Sequence, residues 1–297
     1  MTGSLIGASR RLPDRRWANM GVLLALASSL TWGVADFMGG LASRRAGPVQ
    51  VLSVSYPAGA IVITLFAILV IPGSLSSGVL IWGVGAGIVG AVAIGLLYAA
   101  LSRGPMGIVS PVTAVMAGAV PVLVGVARGE TLSALAIGGI ACAGVAVILV
   151  SRETGEQARV RPSTIGLALA SGAAIGVYLS AIGLAPADSG VWAAAIGRWT
   201  STVLLVAVLI AFARPFVRTG FPWLLVVVSG VLDACANGVF QLASQRGMLS
   251  VVAVVGSLYP VATVILAWVL LKERLNAVQL VGVALALLAA ATLSLTS

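Results

Sequence analysis

Aliphatic segments of about 20 residues follow one another almost without pause, and this feature most constrains how the chain can fold. Each segment is long enough to cross the roughly 30 Å of hydrocarbon in a bilayer as an α-helix. Charged residues make up only 8% of the 297 residues, whereas a soluble domain carries roughly 25%. Strands of a membrane barrel would alternate in polarity over about ten residues, which these segments do not do. The sequence therefore predicts an all-α integral membrane protein, because helices satisfy their own backbone hydrogen bonds in lipid.

The apolar segments predict about ten transmembrane helices. Their approximate bounds are 19–41, 49–71, 79–101, 105–127, 132–151, 163–185, 190–212, 222–244, 249–271 and 276–295. The predicted domains are an arginine-rich cytoplasmic tail (1–18), a first five-helix repeat (19–151), a polar linker (152–162) and a second five-helix repeat (163–297). Because the loops are short, none can hold a soluble domain, and we expect the function to lie within the membrane.

An internal repeat is the most specific signal in the sequence. The pentapeptide Leu24–Ser28 recurs 143 residues later as Leu167–Ser171. The same offset pairs Gly33-Val34 with Gly176-Val177, Arg103-Gly104 with Arg246-Gly247, and Glu130 with Glu273. Each copy holds five spans, an odd number, so the second copy must enter the membrane in the opposite orientation. Inverted repeats around a midplane site are typical of secondary transporters. The paired glutamates begin polar turns at span ends, where we expect capping or pairing with neighbouring bases.

Specific local patterns point to a known family. Leu258-Tyr259-Pro260-Val261 is followed by Glu273-Arg274-Leu275 and a closing apolar span. The first half carries similar patterns, Trp32-Gly33 and Ala100-Leu101-Ser102-Arg103-Gly104-Pro105. Over nearly the whole chain the sequence resembles the ten-helix EamA branch of the drug/metabolite transporter superfamily. The resemblance implies a secondary carrier for small metabolites, most often one that exports amino acids or related compounds in bacteria.

Three charged residues lie well inside spans: Asp36, Arg198 and Asp233. Each costs roughly 2.5–3.5 kcal/mol at a helix centre, so each is expected to face protein or a wet cavity. For Asp36 and Arg198, a functional role competes with mutual neutralisation and with snorkelling. Asp233, Asn237 and Gln241 recur every fourth residue and form one polar stripe on the eighth helix. Interhelical hydrogen bonding would explain such a stripe, but because it contains a carboxylate we favour a wall that binds substrate or a proton.

Four aromatic residues complete the predicted substrate site: Trp32, Tyr98, Tyr178 and Tyr259. Aromatic residues at span ends are usually interface anchors. Trp32 and Tyr259 lie deeper and belong to the family-like patterns, which favours cavity lining. Tyr98 is the repeat counterpart of Gln241.

Prolines interrupt the fourth and ninth spans at Pro111, Pro121 and Pro260. Each removes an i→i−4 hydrogen bond and permits a kink, which serves either as a static bend or as a gating hinge. Ala117 stands where the family usually has the counterpart of Pro260, and Pro121 follows one turn later. We predict these prolines as hinge or gate positions.

The residue inventory argues against other functions. The chain has no histidine for a Ser-His dyad or a zinc site, and no G-x-x-x-x-G-K-[ST] loop for ATP. We therefore predict neither an enzyme nor an ATP-driven pump, and neither a metal nor a cofactor. A channel remains an alternative that inverted repeats permit but do not favour. Two cysteines, Cys142 and Cys235, lie in apolar segments and are interpreted as buried thiols rather than a disulfide.

The charge distribution bears on partners and orientation. The net charge of +9 comes from bases that stand singly or in pairs between spans, which predicts contact with the lipid bilayer and not with nucleic acid. The resemblance implies cytoplasmic termini in a bacterial inner membrane. With the N-terminus inside, six bases lie on inner and ten on outer segments, so the positive-inside rule would invert the chain. We still expect cytoplasmic termini, because four arginines (Arg10, Arg11, Arg15 and Arg16) precede the first span.

A small-molecule substrate is the expected partner, and a monomer is compatible with this expectation. We expect export of amino acids or similarly small polar metabolites, with lipophilic cationic drugs as the alternative. Amide, phenol, carboxylate and guanidinium groups suit a zwitterion, whereas a cationic drug would prefer more aromatic and acidic walls, and only 6% of the residues are aromatic.

Overall fold

A computed structural model describes residues 15–43, 46, 48–101, 103, 106–150, 161–211, 220–271 and 276–295 of the chain. These residues form eleven α-helices and one 3₁₀ turn at Ala187–Ser189, with no strand among them. In chain order the helices are α1 (Arg15–Ser43), α2 (Pro48–Leu69), α3 (Ser77–Leu101), α4 (Met106–Ala127), α5 (Ala134–Val150), α6 (Pro162–Gly183), α7 (Trp192–Ala211), α8 (Trp223–Ser244), α9 (Leu249–Gly256), α10 (Tyr259–Leu271) and α11 (Ala277–Leu295).

The predicted helical membrane fold is confirmed. Seven of the described segments are long and apolar enough to cross a membrane, and three shorter apolar helices accompany them. The ninth span is the one that comprises two helices, α9 and α10, and the others are single helices. Ten spans result, as the apolar pattern predicts.

The two repeats pack against each other in a symmetric way. α1 of the first repeat packs on α8 of the second, and α6 of the second packs on α3 of the first. Ser28 Oγ donates a hydrogen bond to the Ala236 carbonyl at 2.8 Å. Ser171 Oγ donates to the Ala93 carbonyl at 3.0 Å. Ser171 and Ala236 are the repeat counterparts of Ser28 and Ala93 at the offset of 143 residues. The two hydrogen bonds are therefore symmetric, as the predicted pseudo-two-fold relation requires.

The fifth and tenth spans meet at the pseudo-two-fold axis. α5 packs on α11, and Cys142 Sγ lies 3.5 Å from the Leu285 carbonyl oxygen, 143 residues away in sequence. Because the two residues are repeat counterparts, they face each other across the axis. Cys142 and Cys235 are both free thiols, as predicted, and both are partly buried.

The ninth span breaks at residues 257 and 258, immediately before Pro260. Proline has no N–H to bond the Gly256 carbonyl, and its ring would clash with that carbonyl in a continuous helix. α4 has Ala117 at the equivalent position and runs unbroken through Pro111 and Pro121. The ninth span is thus divided into two helices and the fourth is one continuous helix, and the hinge or gate role of Pro111, Pro121 and Pro260 stays a prediction. The side chain of Pro111 lies outside the described part of the chain.

Glu130 links the first repeat to the start of the broken span. Its Oε1 accepts the Leu249 N–H at 2.8 Å, and its Oε2 accepts the Ser250 N–H at 3.1 Å and the Ser250 hydroxyl at 2.6 Å. These N–H groups begin α9 and have no partner within their own helix, and a carboxylate there also opposes the positive end of the helix dipole. The expected capping role of Glu130 is confirmed, whereas Glu273 lies outside the described residues.

Candidate functional site

A cavity of about 830 Å³, its open mouth included, lies between the two repeats. Helices α1 to α4 and α6 to α10 contribute to its wall, so both repeats form it. The lining residues are Trp32, Asp36, Tyr56, Gly90, Ala93, Ile94, Leu97, Ala117, Ile175, Tyr178, Leu179, Arg198, Ser201, Asp233, Asn237, Gly256, Ser257 and Tyr259. A site at the interface of inverted repeats is where a carrier holds its substrate.

An ion pair crosses the cavity wall between α7 and α8. Arg198 Nη2 donates to Asp233 Oδ2, and the guanidinium carbon lies 4.3 Å from the centroid of the Tyr56 ring. The Arg198 side chain is only 4% exposed, whereas that of Asp233 is 31% exposed. The buried cation is thus neutralised by one carboxylate and covered on one side by an aromatic face, an arrangement that offsets much of the cost of desolvating it.

Asn237 is held beside this pair by two hydrogen bonds. The Tyr178 hydroxyl donates to Asn237 Oδ1 at 2.7 Å, and Asn237 Nδ2 donates to the Asp233 carbonyl at 2.7 Å. The Tyr178 ring lies against Gly90 of α3, where an added Cβ would come within 3.1 Å of Cδ2. The small residue at position 90 therefore makes room for the ring.

Gln241, the third member of the predicted stripe, has a different environment. It is 0% exposed and is not among the lining residues. Its Oε1 accepts the Ala194 N–H at 2.8 Å, and its Nε2 donates to Ser189 Oγ at 2.9 Å. Of the three residues in the predicted stripe, Asp233 and Asn237 therefore line the cavity. Gln241 instead links the start of α7 to α8 by hydrogen bonds.

The remaining predicted site residues lie on α1, α3 and α10. Asp36 and Trp32 line the cavity one turn apart on α1, and Tyr259 lines it at the start of α10. The Trp32 ring also packs on Phe240 with 5.6 Å between centroids. Tyr98 belongs to α3, and its side chain lies outside the described part of the chain. Within the described residues no group of three His, Cys, Asp or Glu side chains could hold a metal ion.

The cavity is open at one end and closed at the other. Along α8 the exposed fraction falls from 31% at Asp233 to 4% at Asn237 and 0% at Gln241. Along α1, Asp36 is exposed whereas Ser28 is buried. All of α9 is buried, and its last residue belongs to the cavity wall. The cavity therefore opens toward the face where α1 ends and is closed toward the face where α1 begins.

Tyr56 is the main site residue that the sequence analysis missed. Its ring covers Arg198, and it belongs to α2, which continues through Pro57. A mid-span tyrosine followed by proline was the available signal, but nothing in the sequence places α2 beside α7. Ser201 and Ser257 also line the cavity and were missed, because small hydroxyl residues are common in helix packing.

A polytopic helical protein with two inverted five-helix repeats and a shared central cavity has the architecture of a membrane transporter. The model of the EamA-like transporter family matches residues 19–152 and again residues 162–295. The chain belongs to this family, and so to the drug/metabolite transporter superfamily. A protein of known crystal structure has a similar fold, with a TM-score of 0.76 and 18% identity over 93% of this chain and 96% of the other. No curated protein matches the sequence.

Proposed function

We propose that the protein is a secondary carrier that exports small metabolites, amino acids or related compounds, by alternating access around the central cavity. The carrier would act as a monomer in a bacterial inner membrane with both termini in the cytoplasm. The observation that carries this proposal is the position of the cavity, which is lined by both repeats and contains a guanidinium, two carboxylates and an amide. In this topology the cavity would face outward, since it opens away from the N-terminal end of α1.

The polar groups of the cavity fit a small amphiphilic solute. Arg198 uses one nitrogen for Asp233, and a guanidinium has further N–H donors that can bind a carboxylate. Asp36 can accept hydrogen bonds from an ammonium group. The apolar part of the wall, which includes Ile94, Leu97 and Ile175, would contact an aliphatic side chain. Together these groups match an α-amino acid better than a purely apolar or purely anionic solute.

Efflux of lipophilic cations is the second candidate. Four aromatic side chains line the cavity, Trp32, Tyr56, Tyr178 and Tyr259, which is a far higher aromatic share than the 6% of the whole chain. Aromatic faces attract cations. The low aromatic content of the sequence thus understates how aromatic this wall is.

Flux of labelled solutes into proteoliposomes of the pure protein tests the proposal. A screen should include labelled amino acids and cationic dyes, with recovery of the unchanged solute to distinguish transport from catalysis. Gly90→Leu would place a side chain against Tyr178 and Ser201 inside the cavity, whereas at Gly95 of the same helix an added Cβ meets nothing within 4 Å. Gly95→Leu is therefore the matched control.

We expect Gly90→Leu to lower flux at least about tenfold, equivalent to roughly 1.4 kcal/mol, and Gly95→Leu to keep it. If wild-type protein moves no solute faster than empty liposomes do, the carrier proposal fails. If the wild type transports and Gly90→Leu transports equally well, the solute does not pass through this cavity. Transport of dyes without transport of any amino acid would favour the second candidate.

A further inference from the structure

The charges on the cavity wall do not balance. The charged lining residues are Asp36, Arg198 and Asp233. Arg198 is engaged by Asp233, and this pair is neutral as a whole. The described wall therefore has one more carboxylate than it has guanidinium groups, and the carboxylate without a partner belongs to Asp36.

Asp36 has no counter-ion in the described part of the chain. The ion pair of Arg198 with Asp233 is the salt bridge found there, and it does not include Asp36. Asp36 and Asp233 line the same cavity wall, and two ionised carboxylates there repel each other. A carboxylate inside a membrane span faces protein or a wet cavity and usually marks a functional site. A positively charged ligand would remove the repulsion and supply the missing partner.

The surroundings of Asp36 also suit a cation. Three of the four tyrosines in the chain, Tyr56, Tyr178 and Tyr259, line the same cavity as Asp36. Trp32 lies one helical turn before Asp36 and lines the same wall. Aromatic faces attract a cation, most strongly where the cation is desolvated. Carboxylate and aromatic groups together form the kind of wall that binds an organic ammonium group.

We propose that Asp36 is the recognition carboxylate for the ammonium group of a small organic solute with a net positive charge, such as a basic amino acid or a diamine. This inference rests on the proposed carrier function and adds a substrate class to it. A basic amino acid carries a net charge of +1, so the net charge of the wall and ligand together becomes zero when it is bound. A neutral zwitterion would leave the negative charge in place and is expected to bind more weakly.

The size and chemistry of the cavity favour an organic ammonium over a bare ion. Eighteen residues of both repeats line the cavity, many more than an inorganic ion can contact. A divalent cation such as Ca²⁺ takes six to eight oxygen ligands, and Asp36 is the one carboxylate of the described wall that is not engaged in an ion pair. The apolar residues of the wall would contact the methylene chain of the solute.

Uptake of labelled lysine and labelled leucine into proteoliposomes tests the proposal, with Asp36→Asn as the variant. Asp188→Asn is the matched control, since Asp188 lies in the exposed 3₁₀ turn, accepts the Ser74 hydroxyl and is not among the lining residues. We expect the wild type to move lysine faster than leucine. Asp36→Asn should lower lysine uptake at least about tenfold and leucine uptake by a clearly smaller factor, and Asp188→Asn should change neither.

A binding measurement separates this inference from the carrier function. Cadaverine, which has two ammonium groups, should raise the thermal unfolding temperature of the detergent-solubilised wild type more than leucine does. Asp36→Glu, which keeps the charge, should retain part of this shift even if Asp36→Asn does not fold. A shift by cadaverine without any flux would leave the site standing and the carrier function refuted.

Other results would overturn the inference. They are an equal shift by cadaverine and leucine, or leucine uptake without lysine uptake. Loss of both substrates in Asp36→Asn, together with loss of their dependence on a pH gradient, would assign Asp36 to proton coupling instead. Uptake of tetraphenylphosphonium without uptake of lysine would assign the wall to lipophilic cations that lack an ammonium group.

Discussion

Removal of the Glu130 carboxylate should destabilise the start of the broken ninth span. Glu130→Ala deletes the acceptor of the Leu249 N–H, the Ser250 N–H and the Ser250 hydroxyl. Leu249 and Ser250 are 4% and 0% exposed, so their N–H groups have little access to water. An unsatisfied buried donor costs about 1–3 kcal/mol. Because Glu130 itself is only partly buried, water can replace some of the lost hydrogen bonds. We therefore expect the free energy of unfolding to fall by about 2–4 kcal/mol in total.

Thermal unfolding in detergent measures this loss. At an unfolding entropy of about 2.1 cal/mol/K per residue, 1 kcal/mol shifts the unfolding temperature of a 297-residue chain by about 1.6 °C. Glu130→Ala should therefore lower it by roughly 3–6 °C. Glu130→Gln keeps the shape and one oxygen acceptor but not the charge, and should cost roughly half as much.

A nearby helix cap provides the control. Ser133 is in the same loop as Glu130, but its Oγ accepts the Ala136 N–H at 3.1 Å at the start of α5 and not an N–H of α9. Ser133→Ala should cost about 1 kcal/mol, the usual value for a lost helix cap. If Glu130→Ala unfolds at the same temperature as Ser133→Ala, the contacts of Glu130 with α9 do not stabilise the folded protein and the reasoning is wrong.

Three further predictions follow from the site and the fold. Asp233→Asn should leave Arg198 as an uncompensated buried charge and destabilise the protein by about 3–5 kcal/mol, as measured by thermal unfolding in detergent. Normal stability together with a tenfold loss of flux per folded molecule would instead assign Asp233 to substrate or proton binding. Gln241→Leu should cost about 1–3 kcal/mol, because the buried Ala194 N–H loses its acceptor, with little change in substrate affinity as measured by a flux titration. A reporter fused after Ser297 should be active on the cytoplasmic side, and activity on the outer face alone would invert the proposed orientation.

The number of spans and the repeat could be predicted because both are properties of the linear sequence. Apolar length decides whether a segment crosses the bilayer, and the recurrence of Leu24–Ser28 needs no knowledge of neighbours. The symmetric hydrogen bonds from Ser28 and Ser171 follow that recurrence. The break before Pro260 was also predictable, since a proline forbids one specific backbone hydrogen bond.

The composition of the site could be predicted only in part. Charged residues inside the predicted spans indicated Asp36, Arg198 and Asp233 as site residues, because a charged side chain within the membrane has to face protein or water. Helical periodicity placed Asn237 and Gln241 on one face of α8 with Asp233, but it could not show that the wall of the cavity ends between them.

Only the tertiary structure showed which of these charged and polar groups already have a partner within the protein. The pairing of Arg198 with Asp233, the cover by Tyr56 and the absence of a counter-ion for Asp36 in the described residues all depend on how α1, α2, α7 and α8 are rotated and placed. In a membrane nearly every helix is apolar on all sides, so hydropathy carries little information about rotation or neighbours. The sequence by itself thus determined that this chain is a ten-span inverted repeat, whereas the packing of its helices decided the charge of the cavity and the end at which it opens.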